Sequence, residues 1–529
     1  MNTDVEKTVK VEEMQEVSHN ERAPRFADGE SLAPVSTEGT GKDNSSSKYA
    51  SSTIGLEHRT ASQKEERKLV RKLDVLIIPL AVLLYLAAYL DRGALGNSKL
   101  LGLESTVLHN SDTGYSVALT CFYITYILLS IPGTLLAKAI DPSTSIAAGA
   151  FIWSVAASAQ AGVHNQAGLY VCRLFIGVGE ALFGQAMALY FTYWYRKNEI
   201  AKRIGLFISA GSLAGAFSGI IAYGVARIPS PALDAWRVLF LIEGLPSILL
   251  AIVVFLFLPS RPNKSRYLNE DERTIACTRL NADSLGTESG MGIDWRAVRY
   301  TLTDWKTYVI SIAYSAMNLT LGSVSGFLPQ IVKDLGYSNA DAQLYTVPPY
   351  AVALGTMLFM TAISDKYRTR GIPAMIVFAI GITGWSILLG VDPVGVTEGG
   401  LRARYFACCC LASAGYSNIP IIMAWVSNNS GCETQRAVGL GSLNAIGQCL
   451  SILAAFLFPK PEGPRYRKGA TVNIAFQCLG LVIALSMTLY YRWENARRDR
   501  KEGGRPAKGM PIPDILTDYD RAVGFRYTP

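Results

Sequence analysis

The sequence predicts an all-α membrane protein with twelve transmembrane helices in two groups of six. The chain has 529 residues, of which 50% are apolar and only 17% are charged. A soluble protein carries about 25% charged residues. The apolar residues form long unbroken blocks, whereas a strand of a membrane barrel alternates over about ten residues. The longest gap between blocks, residues 259–306, falls in the middle of the series.

Each apolar block is close to the roughly 20 residues that a helix needs to cross a bilayer. We expect a six-helix bundle at 61–258, a cytosolic central loop at 259–306 and a second six-helix bundle at 307–491. Residues 1–60 are polar and carry no apolar signal segment, so they predict a disordered cytosolic tail. Residues 492–529 predict a second cytosolic tail. The twelve blocks are 73–92, 114–137, 145–162, 168–194, 203–225, 237–258, 307–331, 343–363, 372–390, 401–426, 436–458 and 470–491.

The positive residues predict the orientation. Most of the 50 Lys and Arg residues lie in the two tails and in the connections after helices 2, 4, 6, 8 and 10. Because positive residues are enriched in cytosolic segments, we expect both termini in the cytosol. The net charge of +8 is then a signal of topology and does not indicate nucleic-acid binding. No retrieval motif is present at Phe525–Pro529, so the plasma membrane is the expected location.

Block four contains two ionisable residues, which are functional candidates because charge inside a membrane is costly. Arg173 and Glu180 are seven residues apart, nearly two helical turns, and so project from one face. Glu180 lies about 18 Å from the start of the block, slightly past the midplane. The membrane interior disfavours a charged carboxylate, as a proton carrier requires. The alternative is a structural ion pair between two helices.

Three further ionisable residues are less clear. Asp91 and Arg92 end the first block, and a rise of 1.5 Å per residue places them roughly 27 Å from its start, at the far membrane surface. At that position, Asp91 and Arg92 are as readily interpreted as ordinary solvated charges at a helix end as they are as functional residues. For Glu243, in block six, a structural role is favoured. All four histidines lie outside the blocks, so a proton relay would have to use carboxylates.

Uncharged polar residues recur inside the blocks of both halves. Singly, each indicates a hydrogen bond between packed helices. Together, with two pairs spaced i and i+4, they predict a polar cavity between the halves, where secondary transporters bind substrate. They include Tyr126, Tyr314 with Asn318, and Asn444 with Gln448.

Several stretches of the sequence carry a family resemblance. They are Leu90-Asp91-Arg92, Arg173 through Glu180, Pro348-Pro349-Tyr350, Ser364-Asp365 with Arg370, and Trp425 through Asn429. From about residue 73 to residue 491 the chain resembles the major facilitator superfamily. Within that superfamily it is similar to the fungal allantoate-permease branch of the anion:cation symporters.

The resemblance implies the superfamily fold, with two six-helix bundles that give alternating access by rocking. It implies that Asp91 and Glu180 take up protons. Arg92 and Arg173 would pair with these acids or bind the substrate anion, and the Asp91–Arg92 step would lie inside the cavity of a longer helix. It also matches Tyr126, Asn444 and Gln448 to substrate-binding positions, and Asp365 and Arg370 to a gating or structural position. On their polar spacing, Tyr314 and Asn318 are further substrate-binding candidates, and Glu243 is a structural candidate from its place in block six.

The chain departs from the family pattern at three places. The connection after helix 2 lacks an acid shortly after Gly133. Ala94 and Gln448 stand where many relatives have asparagine. Since the last two would touch the cavity, the substrate cannot be transferred by analogy.

We interpret the chain as a proton-coupled symporter of a small organic anion. In this hypothesis Glu180 pairs with Arg173 and Asp91 with Arg92 at rest, and protonation frees a guanidinium for a carboxylate. One alternative is a proton-coupled exporter of a fungal metabolite. Such exporters usually carry a Gly-Pro pair in helix five, and Gly211–Gly219 contains no proline. An alternative of another class is a nutrient receptor that signals through its tails without net transport.

The remaining expectations concern partners. No nucleophile–base pair, metal cluster or nucleotide loop stands out in the sequence, so we expect neither an enzyme, a metal nor a cofactor. The expected partners are a small organic anion, protons and the lipid bilayer, with no nucleic acid, and the protein is expected to be a monomer.

Overall fold

The structure is a computed structural model that describes residues 63–109, 111–228, 233–283, 293–392, 397–506, 512 and 514–529. The predicted tail at 1–60 lies outside these residues. One long helix corresponds to each predicted block. The helices are α1 (Gln63–Ser98), α2 (Asp112–Ala139), α3 (Pro142–Ala159), α4 (Gln166–Thr192), α5 (Lys197–Ala226), α6 (Ala235–Phe257), α7 (Trp305–Lys333), α8 (Val347–Tyr367), α9 (Gly371–Gly390), α10 (Glu398–Asn428), α11 (Glu433–Gly447) and α12 (Arg467–Lys501).

The helices agree with the predicted all-α membrane fold. Across the described ranges, ten helices are long and apolar enough to cross a membrane. The helices α3, with 18 residues, and α7, with 29 residues, are not among the ten. In α7 the reason is chemical, because buried polar side chains such as Ser311, Asn318 and Thr320 face the interior and lower its hydropathy.

The helix α1 is longer at both ends than the apolar block that predicted it. It begins at Gln63 and continues past Arg92 to Ser98. Asp91 is therefore inside the helix and only 2% exposed. Its predicted place at the far membrane surface was wrong, because the apolar run ends where side chains turn inward and not where the helix ends. The longer helix implied by the family resemblance is correct.

Contacts between α1–α6, here the N half, and α7–α12, here the C half, occur at both ends of the helices. The termini side is the side where α1 begins and α12 ends. On it, the Lys138 ammonium group donates a hydrogen bond to Thr434. On the opposite side, Tyr115 donates to the Gly326 carbonyl at 3.3 Å and Ser116 to the Ala455 carbonyl at 2.7 Å. The space between the halves is thus bounded by contacts in both directions.

The segment between the halves contains two helices where a loop was predicted. One helix, Glu270–Asp283, packs against the N half on the termini side, where Glu272 pairs with Lys72 at 2.6 Å. Arg279 of the same helix is 4% exposed and pairs with Glu199 at 2.7 Å. The other helix, Trp295–Thr303, contacts α11. Composition alone would assign these charged residues to a solvated loop. In the structure, their ion pairs hold the segment against the membrane helices.

Residues 514–529, here the tail segment, pack onto the C half on the termini side. The Pro529 carbonyl accepts from the Arg370 amide at 2.7 Å, and the Thr528 carbonyl accepts from the Trp425 indole at 2.9 Å. Asp520 is 1% exposed and pairs with Lys306 at the start of α7. The predicted tail at 492–529 differs accordingly: α12 runs on to Lys501, and the tail segment is part of the packed structure.

Replacing Asp520 with asparagine is expected to destabilise the docked tail segment. Removing one partner of a buried ion pair costs about 3–5 kcal/mol. Because Asp304 Oδ2 remains 3.3 Å from the Lys306 ammonium group, we expect the lower end, about 3 kcal/mol or slightly less. A fall in the melting temperature of the purified protein would measure this. The control is Asp518→Asn, because Asp518 lies two residues earlier and is exposed. Equal melting temperatures of the two variants would contradict the prediction.

Docking of the tail segment is also expected to weaken in acid. Burial by itself raises the pKa of Asp520, but the Lys306 charge and hydrogen bonds from Lys306, Tyr300 and Tyr527 hold that pKa below its usual value. A lowered pKa gives stability that is complete above the usual value of about 4 and is lost as the pH falls through the folded value. Hydrogen exchange of the tail segment, corrected for intrinsic rates, should rise in that window. In Asp520→Asn, exchange of the tail segment should be fast at every pH. A wild-type tail segment that stays protected from exchange at the lowest pH would refute the prediction that acid weakens its docking.

Candidate substrate and ion-pair site

Two cavities lie between the halves, one on each side of the Arg92 side chain. The proximal cavity, nearer the termini side, is lined by Tyr85, Ala88, Tyr89, Arg92, Tyr126, Glu180, Phe183, Gly184, Phe207, Ile208, Tyr314, Met423, Asn444 and Gln448. The distal cavity is lined by Tyr89, Arg92, Gly96, Tyr115, Leu119, Phe122, Tyr123, Arg173, Leu321, Gly322, Ser325, Gly326, Gln448 and Ser451. Both halves line both cavities, so a ligand here would contact both halves at once.

Arg92 and Glu180 form an ion pair between α1 and α4. The guanidinium contacts the Glu180 Oε2 through Nε and Nη2. The Glu180 side chain is 1% exposed and that of Arg92 is 19% exposed. Protonation of this carboxylate would remove the attraction and leave the guanidinium available to another anion.

The pairing differs from the expected one, in which Glu180 paired with Arg173 and Asp91 with Arg92. Seven residues along a helix separate Arg173 and Glu180 by roughly 10 Å, which is too far for direct contact although both share a face. Asp91 and Arg92 are consecutive residues of α1, so their side chains diverge around the helix. Arg92 therefore enters the cavities, and Asp91 does not line either one.

Three aromatic rings surround the Arg92 guanidinium. Its central carbon is 4.7 Å from the ring centre of Tyr89, 5.0 Å from that of Phe122 and 5.2 Å from that of Tyr126. A cation within about 6 Å of an aromatic face is attracted to it, and more strongly when water is scarce. The rings thus support a positive charge at a depth where water does not.

Glycines in α4 let this helix approach α2 and α3 closely. A Cβ atom at Gly177 would overlap Thr125 and the Phe122 carbonyl of α2. A Cβ at Gly179 would overlap the backbone of α3 at Trp153. Small residues at helix crossings give this kind of close packing in membranes.

Asp91, Arg173 and Glu243 form a second buried group of charges. Their exposures are 2%, 2% and 3%. Among the residues that the structure describes, none is a hydrogen-bond partner of Asp91 Oδ2, Glu243 Oε2 or two nitrogens of Arg173. The charge of Arg173 acts on both acids. Arg173 also lines the distal cavity, so it connects this group to the space between the halves.

Glu243 belongs to a hydrogen-bonded chain that crosses three helices. Ser218 of α5 donates to Glu243 Oε1 at 3.0 Å, and Asn97 of α1 donates to the Ser218 hydroxyl at 2.7 Å. This arrangement fastens α6 to α5 and α1 beside the charged group.

The predicted polar residues of the C half divide into two roles. Tyr314, Asn444 and Gln448 line the proximal cavity. Asn318 lines neither cavity: it donates to the Tyr314 carbonyl at 3.0 Å and accepts from Gln448 at 3.4 Å. Asn318 therefore positions the cavity wall from behind.

Asp365 and Arg370 lie on the termini side, at the connection between α8 and α9. They form an ion pair at 2.6 Å, and Arg370 also donates to the Ser364 hydroxyl at 2.8 Å. The amide of Arg370 binds the tail segment, as described above. This pair is structurally separate from the cavities.

Most of the aromatic wall was not predicted from the sequence. Tyr85 and Tyr89 line the proximal cavity from α1, Phe183 from α4 and Phe207 from α5. Tyr85 and Tyr89 are spaced i and i+4 on the helix that carries Arg92, and this spacing was an available signal.

Within the described ranges, no group of three or more His, Cys, Asp or Glu residues is placed to hold a metal ion.

A bundle of apolar helices with a charged, closed space between its halves defines a membrane transport protein. The chain belongs to the Major Facilitator Superfamily, whose family model matches residues 81–456. It is 34% identical to the MFS-type transporter efuF of Hormonema carpetanum, over 87% of this chain and 91% of that protein. It is 28% identical to the high-affinity nicotinic acid transporter of Saccharomyces cerevisiae, over 88% and 85% of the two chains.

A solved structure supports the same fold. The proton:xylose symporter XylE bound to 6-bromo-6-deoxy-D-glucose aligns with a TM-score of 0.64, at 15% identity, over 79% of this chain and 95% of that chain. At this identity the likeness concerns the fold alone. Because the family model and the relatives are those of membrane transporters, the chain is a multi-pass membrane transporter and not an enzyme.

Proposed function

We propose that this transporter is a proton-coupled symporter of a small organic anion, within the anion:cation symporter family. The observation that carries the proposal is the buried Arg92–Glu180 pair between two cavities that both halves line. Glu180 binds the proton, Arg92 then binds the carboxylate, and the site remains close to neutral. A neutral loaded site costs less to enclose in a membrane than a charged one.

The second charged group extends this scheme. Asp91 serves as a further proton site, and Arg173, which lines the distal cavity, attracts the anion as it approaches from that side. Contacts on the termini side, at Lys138 and Thr434, break when the site faces the cytosol. Contacts on the opposite side, at Tyr115 and Gly326, break when it faces outward. The protein acts as a monomer in the plasma membrane with both termini in the cytosol.

Two different similar proteins support the two parts of the proposal: an organic anion as substrate, and coupling of its transport to protons. One relative, at 28% identity, is named a nicotinic acid transporter, and that substrate is an organic acid. A protein of the same fold is named a proton:xylose symporter. Neither is this protein, so both the substrate class and the coupling need a direct test.

The test is uptake by yeast cells that lack their own permeases. Labelled carboxylates are offered at acidic and at neutral pH, with and without a protonophore. We expect acid-stimulated accumulation of at least one anion, abolished by the protonophore. Protonophore-sensitive loss of a preloaded metabolite, with no uptake, would instead identify an exporter and refute symport.

A further inference from the structure

The apolar wall of the proximal cavity is mostly aromatic. Six of its lining side chains carry a ring, against three aliphatic side chains, Ala88, Ile208 and Met423. The rings come from four helices of the N half and one of the C half. They are Tyr85, Tyr89, Tyr126, Phe183, Phe207 and Tyr314.

Four of these rings, those of Tyr85, Tyr89, Phe183 and Phe207, contact one another and form a continuous surface. The Tyr85 ring centre is 4.6 Å from that of Tyr89 and 4.3 Å from that of Phe207. The Phe183 ring centre is 6.1 Å from that of Phe207. A ligand ring placed on such a surface gains about 0.5–1.5 kcal/mol beyond the burial of its area. An aliphatic ligand of the same size gains the burial alone.

The charges of the lining allow a single anionic group. In the proximal cavity the charged lining side chains are Arg92 and Glu180. Once Glu180 is protonated, one guanidinium remains for one carboxylate. The lining residues of the C half, Tyr314, Met423, Asn444 and Gln448, are uncharged, so they offer no positive charge to balance a second carboxylate. A second buried charge without a partner would cost several kcal/mol.

We propose that the substrate class is the aromatic monocarboxylates: a planar ring that lies on the aromatic wall and one carboxylate that binds Arg92. This inference rests on the proposed function of the site as an anion site. It excludes aliphatic dicarboxylates, whose second group would have to reach Arg173 through the distal cavity. It also excludes saturated rings as preferred ligands.

The experiment compares three probes in equilibrium binding to the purified full chain at acidic pH. Benzoate and cyclohexanecarboxylate share the carboxylate and the six-membered ring and differ in aromaticity, and succinate carries two carboxylates. We expect benzoate to bind about three- to tenfold more tightly than cyclohexanecarboxylate, the ratio that one aromatic contact provides. Equal or tighter binding of cyclohexanecarboxylate, or tighter binding of succinate, overturns the inference.

Variants locate the preference in the cavity. Tyr126→Leu should lower the benzoate to cyclohexanecarboxylate ratio, whereas Tyr126→Phe, which keeps the ring, should retain the wild-type ratio. Phe175→Leu is the matched control, because Phe175 is 54% exposed and lies outside both cavity linings. Phe207→Leu serves as the second cavity variant if Tyr126→Leu does not fold. A ratio that persists in every folded cavity variant overturns the inference.

The outcomes separate this inference from the proposed function. Proton-driven accumulation of carboxylates without a preference for aromatic rings overturns the substrate class and leaves symport standing. A preference for benzoate without proton-driven accumulation supports the substrate class and refutes symport. Binding of none of the three probes overturns the substrate class, and the uptake experiment alone then decides symport.

Discussion

Replacing Glu180 with glutamine is expected to abolish pH-driven accumulation of the substrate while leaving substrate exchange in place. Glutamine cannot take up or release a proton, and it leaves Arg92 without its carboxylate partner. The anion can then bind Arg92 at any pH. We expect acid stimulation of uptake to fall by at least about tenfold, equivalent to 1.4 kcal/mol of coupling. Counterflow between labelled and unlabelled substrate measures exchange, and uptake at two pH values measures coupling.

The surface provides a matched control for this variant. Glu398 is 90% exposed and pairs with Arg402 at 3.4 Å, so Glu398→Gln removes a carboxylate from a solvated pair. That variant should transport like the wild type, since exposed pairs contribute little. Glu180→Asp should retain some coupling because it keeps the titratable group. Full acid-stimulated accumulation by Glu180→Gln would disprove the assignment of Glu180 as the proton carrier.

Replacing Arg92 with lysine is expected to weaken anion binding by about 10- to 150-fold. Lysine keeps the positive charge but loses the planar fork that binds a carboxylate through two hydrogen bonds. Hydrogen bonds to charged groups contribute about 1.5–3 kcal/mol, and that range gives the expected loss. The loss should appear in the binding constant of the purified protein and in the substrate concentration for half-maximal uptake.

The exposed partner of the surface pair again gives the control. Arg402 is 82% exposed, and Arg402→Lys should change neither quantity. A melting curve for Arg92→Lys shows whether the variant is folded at the temperature of the binding assay. Wild-type affinity in a folded Arg92→Lys protein would show that the anion does not bind this guanidinium.

The helical membrane fold could be predicted because a helix buried in lipid needs a long run of apolar residues. Composition does not predict the ends of a helix where those ends depend on packing. The helix α1 continues six residues beyond Arg92 because Asp91 and Asn97 turn towards α4, α5 and α6, and hydropathy cannot distinguish an inward polar side chain from a solvated one. The helix Glu270–Asp283 has the composition of a loop and is held by ion pairs with distant residues.

For the site, residue types were predictable from the sequence and the resemblance, but partners were not. Spacing along α4 places Arg173 and Glu180 on one face, yet the contact of Glu180 is with Arg92, 88 residues away. Such a contact depends on how the helices pack, which spacing along one helix does not determine. Most of the aromatic wall was not predicted because a single tyrosine inside an apolar block gives the same pattern whether it packs in a core or faces a cavity. The i, i+4 spacing of Tyr85 and Tyr89 on the helix of Arg92 was the one available signal.

The docked tail segment has a consequence for biosynthesis. A chain emerges from the ribosome from its amino end, so the tail segment becomes available only after α12 has been made. Until then Lys306 lacks the Asp520 carboxylate, and the indole of Trp425 lacks its acceptor at Thr528. The C half can therefore acquire its final packing on the termini side only after synthesis of the helices is over. Ribosomes that stop early would release chains with complete membrane helices but an unfinished face, which chaperones and proteases can distinguish from the finished protein.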